Sequence, residues 1–123
     1  MTWPWEILWR QIMKINDILE ACKLKLITGN GDREIKGFYA CDLLSWAISH
    51  ANEGDLWVTV MNNINILAVA SLVDVACIVI PEDIEIPSVL IEKAEEREVT
   101  LLSTPMQAAE LIIKAHELSK NLG

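Results

Sequence analysis

The sequence is short of cations, of cysteine and of long apolar runs, and each shortage excludes something. Ten Lys and Arg residues stand against 18 Asp and Glu, a formal net charge of −8. That balance repels nucleic acid and anionic lipid, and no Lys or Arg cluster reverses it locally. Neither a nucleic-acid nor a membrane partner is expected. No uncharged apolar run approaches the ~20 residues that a membrane span needs. The three cysteines, Cys22, Cys41 and Cys77, lie far apart in apolar contexts, with no CxxC pair and no histidine at ligand spacing. An odd count without a leader peptide fits buried thiols in a reducing cytoplasm better than disulfides or zinc. No metal and no cofactor is therefore expected. The opening "MTWPWEILWRQIMK" carries Glu6 and Arg10 inside its apolar stretch and lacks a small-residue cleavage site, which argues against secretion.

What is present is a chain of 123 residues, 52% hydrophobic, enough for one domain with a real core and no staples. Trp5, Leu8, Ile12, Ile15, Leu19 and Cys22 alternate steps of three and four, which predicts one long helix from about Trp5 to Cys22. "KLKLIT" alternates as a short strand does, and "REIKGFYACD" is strand-like again. Between them "GNGD" supplies residues that tolerate positive φ, so the two segments predict an N-terminal β-hairpin with Gly29, Asn30 and Gly31 at its tip.

Asp42 is a good N-cap for the helical "LLSWAISHA", and Gly54 suits the turn out of it. "LWVTVM" and "VACIVI" are continuous apolar runs of strand length, with the apolar helix "INILAVASLVD", capped by Asn62 or Asn63, between them. Ser88 is a candidate cap for the amphipathic "SVLIEKAEERE", and "VTLLS" is the last strand. Thr104, Pro105 and Gln107 form a capping-box signal for the final helix through "MQAAELIIKAHELSK". Apolar strands alternating with helices predict an α/β fold, a mainly parallel sheet flanked by helices.

The order of these motifs, "GDREIKGFYACDLLSWAISHANEGDLWVTV", "AVASLVDVACIVI" and "REVTLLSTPMQAAEL", resembles a DRTGG domain over about Ile15 to Leu118. Such modules occur within some phosphotransacetylases and beside CBS domains in some pyrophosphatases, and small stand-alone versions also exist. The resemblance implies an α/β fold similar to the N-terminal domains of HPr kinase and of a peptidoglycan ligase, a tendency to dimerise, and a regulatory or ligand-sensing role. It carries over no catalytic residue. Asp32, Arg33, Gly37, Asp42, Gly54, Asp55 and Thr59 match the family pattern. The chain departs from it at "MNN", Met61 to Asn63, and at "IPED", Ile80 to Asp83, where relatives often carry glycine or arginine. On this view residues 13–123 are a single DRTGG-like domain, and residues 1–12 are a tryptophan-rich extension or helix start.

The glycine stretch is not a phosphate loop. A Walker or GxGxxG loop joins a strand to a helix N-terminus, whereas "GNGDREIKG" leads into a strand and has no lysine-serine pair. Cys41, with Asp42 beside it and His50 on the next helix, is the one candidate nucleophile, set against a buried cysteine and a surface histidine. The carboxylates of "PEDIEI" and "EKAEERE" read as solvated faces rather than as a metal site.

In parallel sheets ligands sit outside the carboxyl ends of strands. Three ends are readable: Cys41 to Leu43, Thr59 to Asn63, and Ser103-Thr104. Asp42, Thr59, Asn62, Asn63, Ser103 and Thr104 are the ligand-binding candidates, weighed against plain helix capping for Asn63 and Thr104.

The tryptophan-rich start has three readings: an apolar stripe for a partner or a second copy, a helix packed on its own sheet, or an untranslated stretch before Met13. In the last case Trp9-Arg10 would be encoded TGG-AGG, and any other Arg10 codon removes that reading's main support. The sequence thus points to a cytoplasmic, non-enzymatic regulatory module, homodimeric, with a small-molecule ligand or protein partner. Its alternatives are a small enzyme using Cys41 or the polar strand ends, and an assembly scaffold using the N-terminal helix.

Overall fold

The structure, a computed structural model, describes residues 12–122. Five strands, β1 (Lys25–Thr28), β2 (Gly37–Ala40), β3 (Asp55–Val58), β4 (Cys77–Ile80) and β5 (Leu101–Ser103), form one sheet in the order β1-β5-β4-β3-β2. Strands β2 to β5 are mutually parallel, and β1 pairs antiparallel with β5. Four helices accompany it: α1 (Leu44–His50), α2 (Asn65–Val73), α3 (Ser88–Glu96) and α4 (Ala108–Leu122). The fold is therefore α/β, as the alternation of elements predicted. Among the described residues no helix is long and apolar enough to cross a membrane.

Both faces of the sheet are covered, which is why β3 and β4 read as unbroken apolar runs. Leu56, Val58, Cys77, Val79 and Leu102 face one core with Met13, Ile15, Ile18, Cys22, Leu111 and Ala115. Trp57, Ile78, Ile80 and Leu101 face the other, against Ala47 of α1, Ile66, Leu67 and Ala70 of α2, and Leu90 and Ala94 of α3. The strand period of two thus sorts successive side chains into two cores. Trp57 is fully buried, and its indole N–H donates to the Cys41 carbonyl at 3.1 Å.

Two expectations for the N-terminal third are overturned. The hairpin does not form: β1 and β2 lie on opposite edges of the sheet with three strands between them. The segment after Gly31 does pair antiparallel, but with residues 13–16, through Ile35 N–H to Met13 O at 2.8 Å, Ile15 N–H to Arg33 O at 3.1 Å and Asn16 N–H to Gly31 O at 2.8 Å. That pairing also breaks the predicted long helix. Its described part is extended at Lys14 and then a 3₁₀ turn at Ile15–Ile18, while its Trp5 and Leu8 positions lie outside the described residues. Ile15, Ile18 and Cys22 are nevertheless buried, so the apolar spacing marked the core-facing residues without marking an α-helix.

Gly29, with φ +80°, is held where any Cβ would meet Thr100, 2.7 Å from its Cα, at the start of β5. Glycine is required there by the approach of two backbones rather than by a hairpin tip. Ser88 is the first residue of α3 and not its cap. The Pro87 carbonyl accepts from Leu90 and Ile91 instead.

Candidate functional site

Because β2 to β5 run in parallel, their carboxyl ends open on one side of the sheet and their amino ends on the other. The sequence candidates divide between these two sides.

On the carboxyl side the strand order puts the ends of β2 and β3 next to each other. Asp42 Oδ1 accepts from the Thr59 hydroxyl and from the Val60 N–H, both at 2.9 Å. Thr59, almost fully buried, also accepts from Met61 N–H at 3.2 Å. Asp42 therefore ties β2 to β3 instead of capping α1, whose N-cap position is Leu43. Asn62 Nδ2 donates to the Glu85 carbonyl at 2.8 Å, and Asn63 Oδ1 accepts from Asn65 N–H at 2.9 Å just ahead of α2. The N-cap position of α2 is Ile64, with no side-chain cap bond, so neither Asn62 nor Asn63 caps the helix as expected.

Ser103 and Thr104 stand at the end of β5, separated from Thr59 by β4. The buried Thr104 hydroxyl donates to the Cys22 carbonyl at 2.9 Å and accepts from Met106 N–H at 3.2 Å. α4 begins at Ala108, with the Gln107 carbonyl accepting from Leu111, so the helix starts three residues after the expected Pro105. The end of β4 was not among the sequence candidates. There Glu82 and Asp83 both take positive φ and donate their N–H groups to the carbonyls of Met106 and Thr104. Two consecutive non-glycine residues of this kind have no simple sequence signature.

Cys41 and His50 make separate contacts. The half-buried Cys41 thiol donates to the Leu43 carbonyl at 3.5 Å, while the His50 ring stacks on Trp46 with Nδ1 2.9 Å from the Trp46 carbonyl. Cys22 and Cys77 are buried, and burial pushes the Cys77 thiol up to about 12 and raises that of Cys22.

Of the residues that match the family pattern, Asp32, Arg33, Gly37, Gly54 and Asp55 gather on the amino side, whereas Asp42 and Thr59 lie at the carboxyl ends. Arg33 donates through Nη1 to Asp74 Oδ1 at 2.8 Å, and through Nη2 to the Asp74 carbonyl at 2.8 Å and Glu53 Oε2 at 3.1 Å. Lys36 adds a bond to Glu53 Oε1 at 2.8 Å. The bond to Asp74 is the main reason that the Arg33 guanidinium holds its proton more tightly than usual, and Lys36 lowers the Glu53 carboxyl. Asp55 opens β3 as a buried carboxylate that accepts from Asn52 N–H at 2.8 Å. Its Oδ1 would lie 2.7 Å from a Cβ on Gly37, so the glycine and the carboxylate fit one another. Asp32 accepts from Asn16 Nδ2 at 3.1 Å, and Gly54 donates its N–H to the Asp74 carbonyl at 3.0 Å.

Beside this network lies a cavity of about 330 Å³, lined chiefly by polar groups of Asn30, Arg33, Ser71, Asp74, Arg97 and Thr100. The ends of α2 and α3 converge on it, bringing Asp74 and Arg97 from their C-cap positions. Sequence reasoning found Arg33 and missed the other walls, which come from Asn30, from Ala70 to Ala76 and from Arg97 to Thr100. Among the described residues no group of three or more His, Cys, Asp or Glu could hold a metal ion.

Comparison with known proteins returns a likeness of structure. No family model matches the chain, and no curated protein matches it by sequence. Its fold is similar to that of the CBS and DRTGG domains of the regulatory region of Clostridium perfringens pyrophosphatase, solved in complex with the activator diadenosine tetraphosphate. The TM-score is 0.68 at 18% identity, covering 93% of this chain and 52% of that one. The chain thus spans about half the length of that region, and at this identity the likeness speaks for the fold. The resemblance to a DRTGG domain stands at that level.

Proposed function

We propose that this protein is a non-enzymatic regulatory module of the DRTGG type that binds a small polar ligand. The observation that carries this reading is the likeness of fold, over 93% of the chain, to a regulatory region solved with a nucleotide activator. The cavity at the amino ends of the strands is the best-supported site, because the polar side chains at the carboxyl ends are largely engaged within the protein. Arg97 and Thr100 offer donors, while Asp74 and the nearby C-terminal helix carbonyls favour donor groups on the ligand. Arg33 is already paired with two carboxylates, so a ligand carrying both donors and acceptors fits better than a bare polyanion.

We infer that the module works as a homodimer. The outer edge of β2 is free of strand pairing among the described residues, and Leu43, Trp46 and Ile48 beside it are exposed. Sedimentation of Trp46→Glu against the parent tests this: a dimer lost in the variant supports it, and a monomeric parent ends it.

The ligand is tested by thermal shift against adenine nucleotides, nucleotide sugars, amino acids and acyl phosphates. A ligand at ~100 times its dissociation constant stabilises a native-only binder by about 2.7 kcal/mol, a shift of several degrees. Arg97→Ala removes that shift while Ser103→Ala and Asn62→Ala keep it. Loss of the shift in the latter pair instead moves the site to the carboxyl ends, around Asp42, Thr59, Asn62, Asn63, Ser103 and Thr104. No shift across the panel counts against the small-ligand reading.

A further inference from the structure

The cavity at the amino ends of the strands holds more hydrogen-bonding capacity than the protein itself uses. Asp74 Oδ1 accepts from Arg33, and within the described residues Asp74 Oδ2 accepts no hydrogen bond. Arg97, at the C-cap of α3, pairs with no carboxylate within the described residues. Asn30 Oδ1 accepts from the Asp32 N–H at 3.0 Å, which leaves the Asn30 amide N–H groups as donors. The hydroxyls of Ser71 and Thr100 add groups that can donate or accept. One cation, one carboxylate oxygen and several neutral polar groups are therefore open to a ligand.

The charges of the wall also balance, with Arg33 and Arg97 set against Asp74 and Glu98. α2 and α3 both end at the cavity, and the C-terminal end of a helix carries partial negative charge. A polyanion entering there would meet both helix ends and the open Asp74 oxygen with one free guanidinium in its favour, on a chain of net charge −8. A purely cationic ligand would meet two arginines. A ligand with one charge of each sign leaves neither the ligand nor the wall with an uncompensated charge. The volume, about 330 Å³, lies at the low end of the ~300–1,000 Å³ range of ligand sites, which favours one small molecule over a dinucleotide.

We propose that the ligand of this cavity is a free polar α-amino acid, its carboxylate paired with the Arg97 guanidinium and its ammonium group held by Asp74 Oδ2 and the C-terminal end of α2. This assignment rests on the reading that the amino-end cavity is the ligand site. A guanidinium engages a carboxylate through two parallel N–H donors, so Arg97 fixes one end of the ligand. Asn30, Ser71 and Thr100 remain for the side chain, and an apolar side chain would leave them without partners.

Thermal shift of the full chain tests this with the polar L-amino acids, L-valine and L-leucine as probes, each protein being compared with its own ligand-free form. At least one polar amino acid is expected to raise the melting point by several degrees at saturation, and L-valine and L-leucine are not. Replacing its carboxylate by an amide, or acetylating its amino group, is expected to weaken binding about ten-fold or more, as loss of a charged hydrogen-bond partner does. Arg97→Ala no longer distinguishes the amino acid from its amide, and Asp74→Asn no longer distinguishes it from the N-acetyl form, a coupling that a merely structural role would not produce. Asp74→Asn keeps an acceptor for Arg33 and a residue type that tolerates the φ of +64° at this position. Equal binding of the amino acid and its amide by the parent protein overturns the proposal. A shift from a nucleotide, nucleotide sugar or acyl phosphate that Arg97→Ala abolishes, with none from the amino acids, overturns the amino-acid assignment and leaves the cavity as the ligand site. No shift from any of these compounds overturns both.

Discussion

Asp55 is a carboxylate with almost no contact with water, placed at the first position of a central strand. Burial raises its pKa from 3.8, opposed by the hydrogen bond from Asn52 and assisted by the nearby Glu53 charge. A raised pKa means that the native state holds the proton more tightly than the unfolded chain does. The stability linked to Asp55 is therefore fully present below pH 3.8 and is lost as pH rises through the higher native value. Glu53 works in the opposite sense: Lys36 and Arg33 depress its pKa from 4.5, so its contribution is present above that value and lost on acidification. Asp55→Asn keeps an acceptor for the Asn52 N–H and removes only the first component. Its unfolding free energy relative to the parent is expected to improve steadily as pH rises from about 3 to about 6. Urea denaturation across that range checks this, and parallel curves for the two proteins would contradict it.

At the scale of elements, α3 shows how a sequence pattern becomes a buried face. Leu90 and Ala94 lie one turn apart and are fully buried, whereas the neighbouring Val89 is 49% exposed. Leu90→Ala is expected to cost about 2–5 kcal/mol, because it leaves a cavity against the sheet. Val89→Ala is expected to stay within about 0.5 kcal/mol, as surface changes do. Chemical denaturation of the two variants measures the contrast, and similar losses would mean that α3 presents another face to the core.

Elements of this sort were legible because their spacing records which side meets the sheet. The strands β3 and β4 were legible because cover on both faces makes them continuously apolar. The partner of each strand was not. "GNGD" is compatible with a hairpin, and only the long-range pairing of Met13 to Asn16 with Gly31 to Ile35, and of β1 with β5, removes it. The Thr104 signal was only partly realised: its hydroxyl accepts from Met106 N–H two residues on while donating to the Cys22 carbonyl, 82 residues away in sequence, and the helix begins only at Ala108. The contact of Asp42 with Thr59 likewise depends on β2 lying beside β3. The polar cavity was least legible, since its walls meet only when the amino-end loops of the whole sheet are assembled.

For the whole molecule, the sheet order determines where opening begins. β3 and β4 are paired on both sides, and every one of their residues is buried. Among the described residues β2 is paired only along β3, and none of its residues is fully buried. β1 is four residues long, carries an irregularity between Leu26 and Thr28, and is tied at its end by the Thr28 hydroxyl to the Val99 carbonyl at 2.7 Å. Local opening costs less where few apolar contacts and one ladder hold a strand. Amides of Leu56 to Val58 and Cys77 to Ile80 are therefore expected to exchange with solvent deuterium only through global unfolding, at the ~5–15 kcal/mol typical of a single domain. Amides of β2 should exchange through smaller openings that do not respond to denaturant in proportion to total surface. Native-state hydrogen exchange at several urea concentrations separates the two classes. If β2 joined the most protected group, its outer edge would be covered in solution, and the same measurement on Trp46→Glu would show whether a second copy covers it.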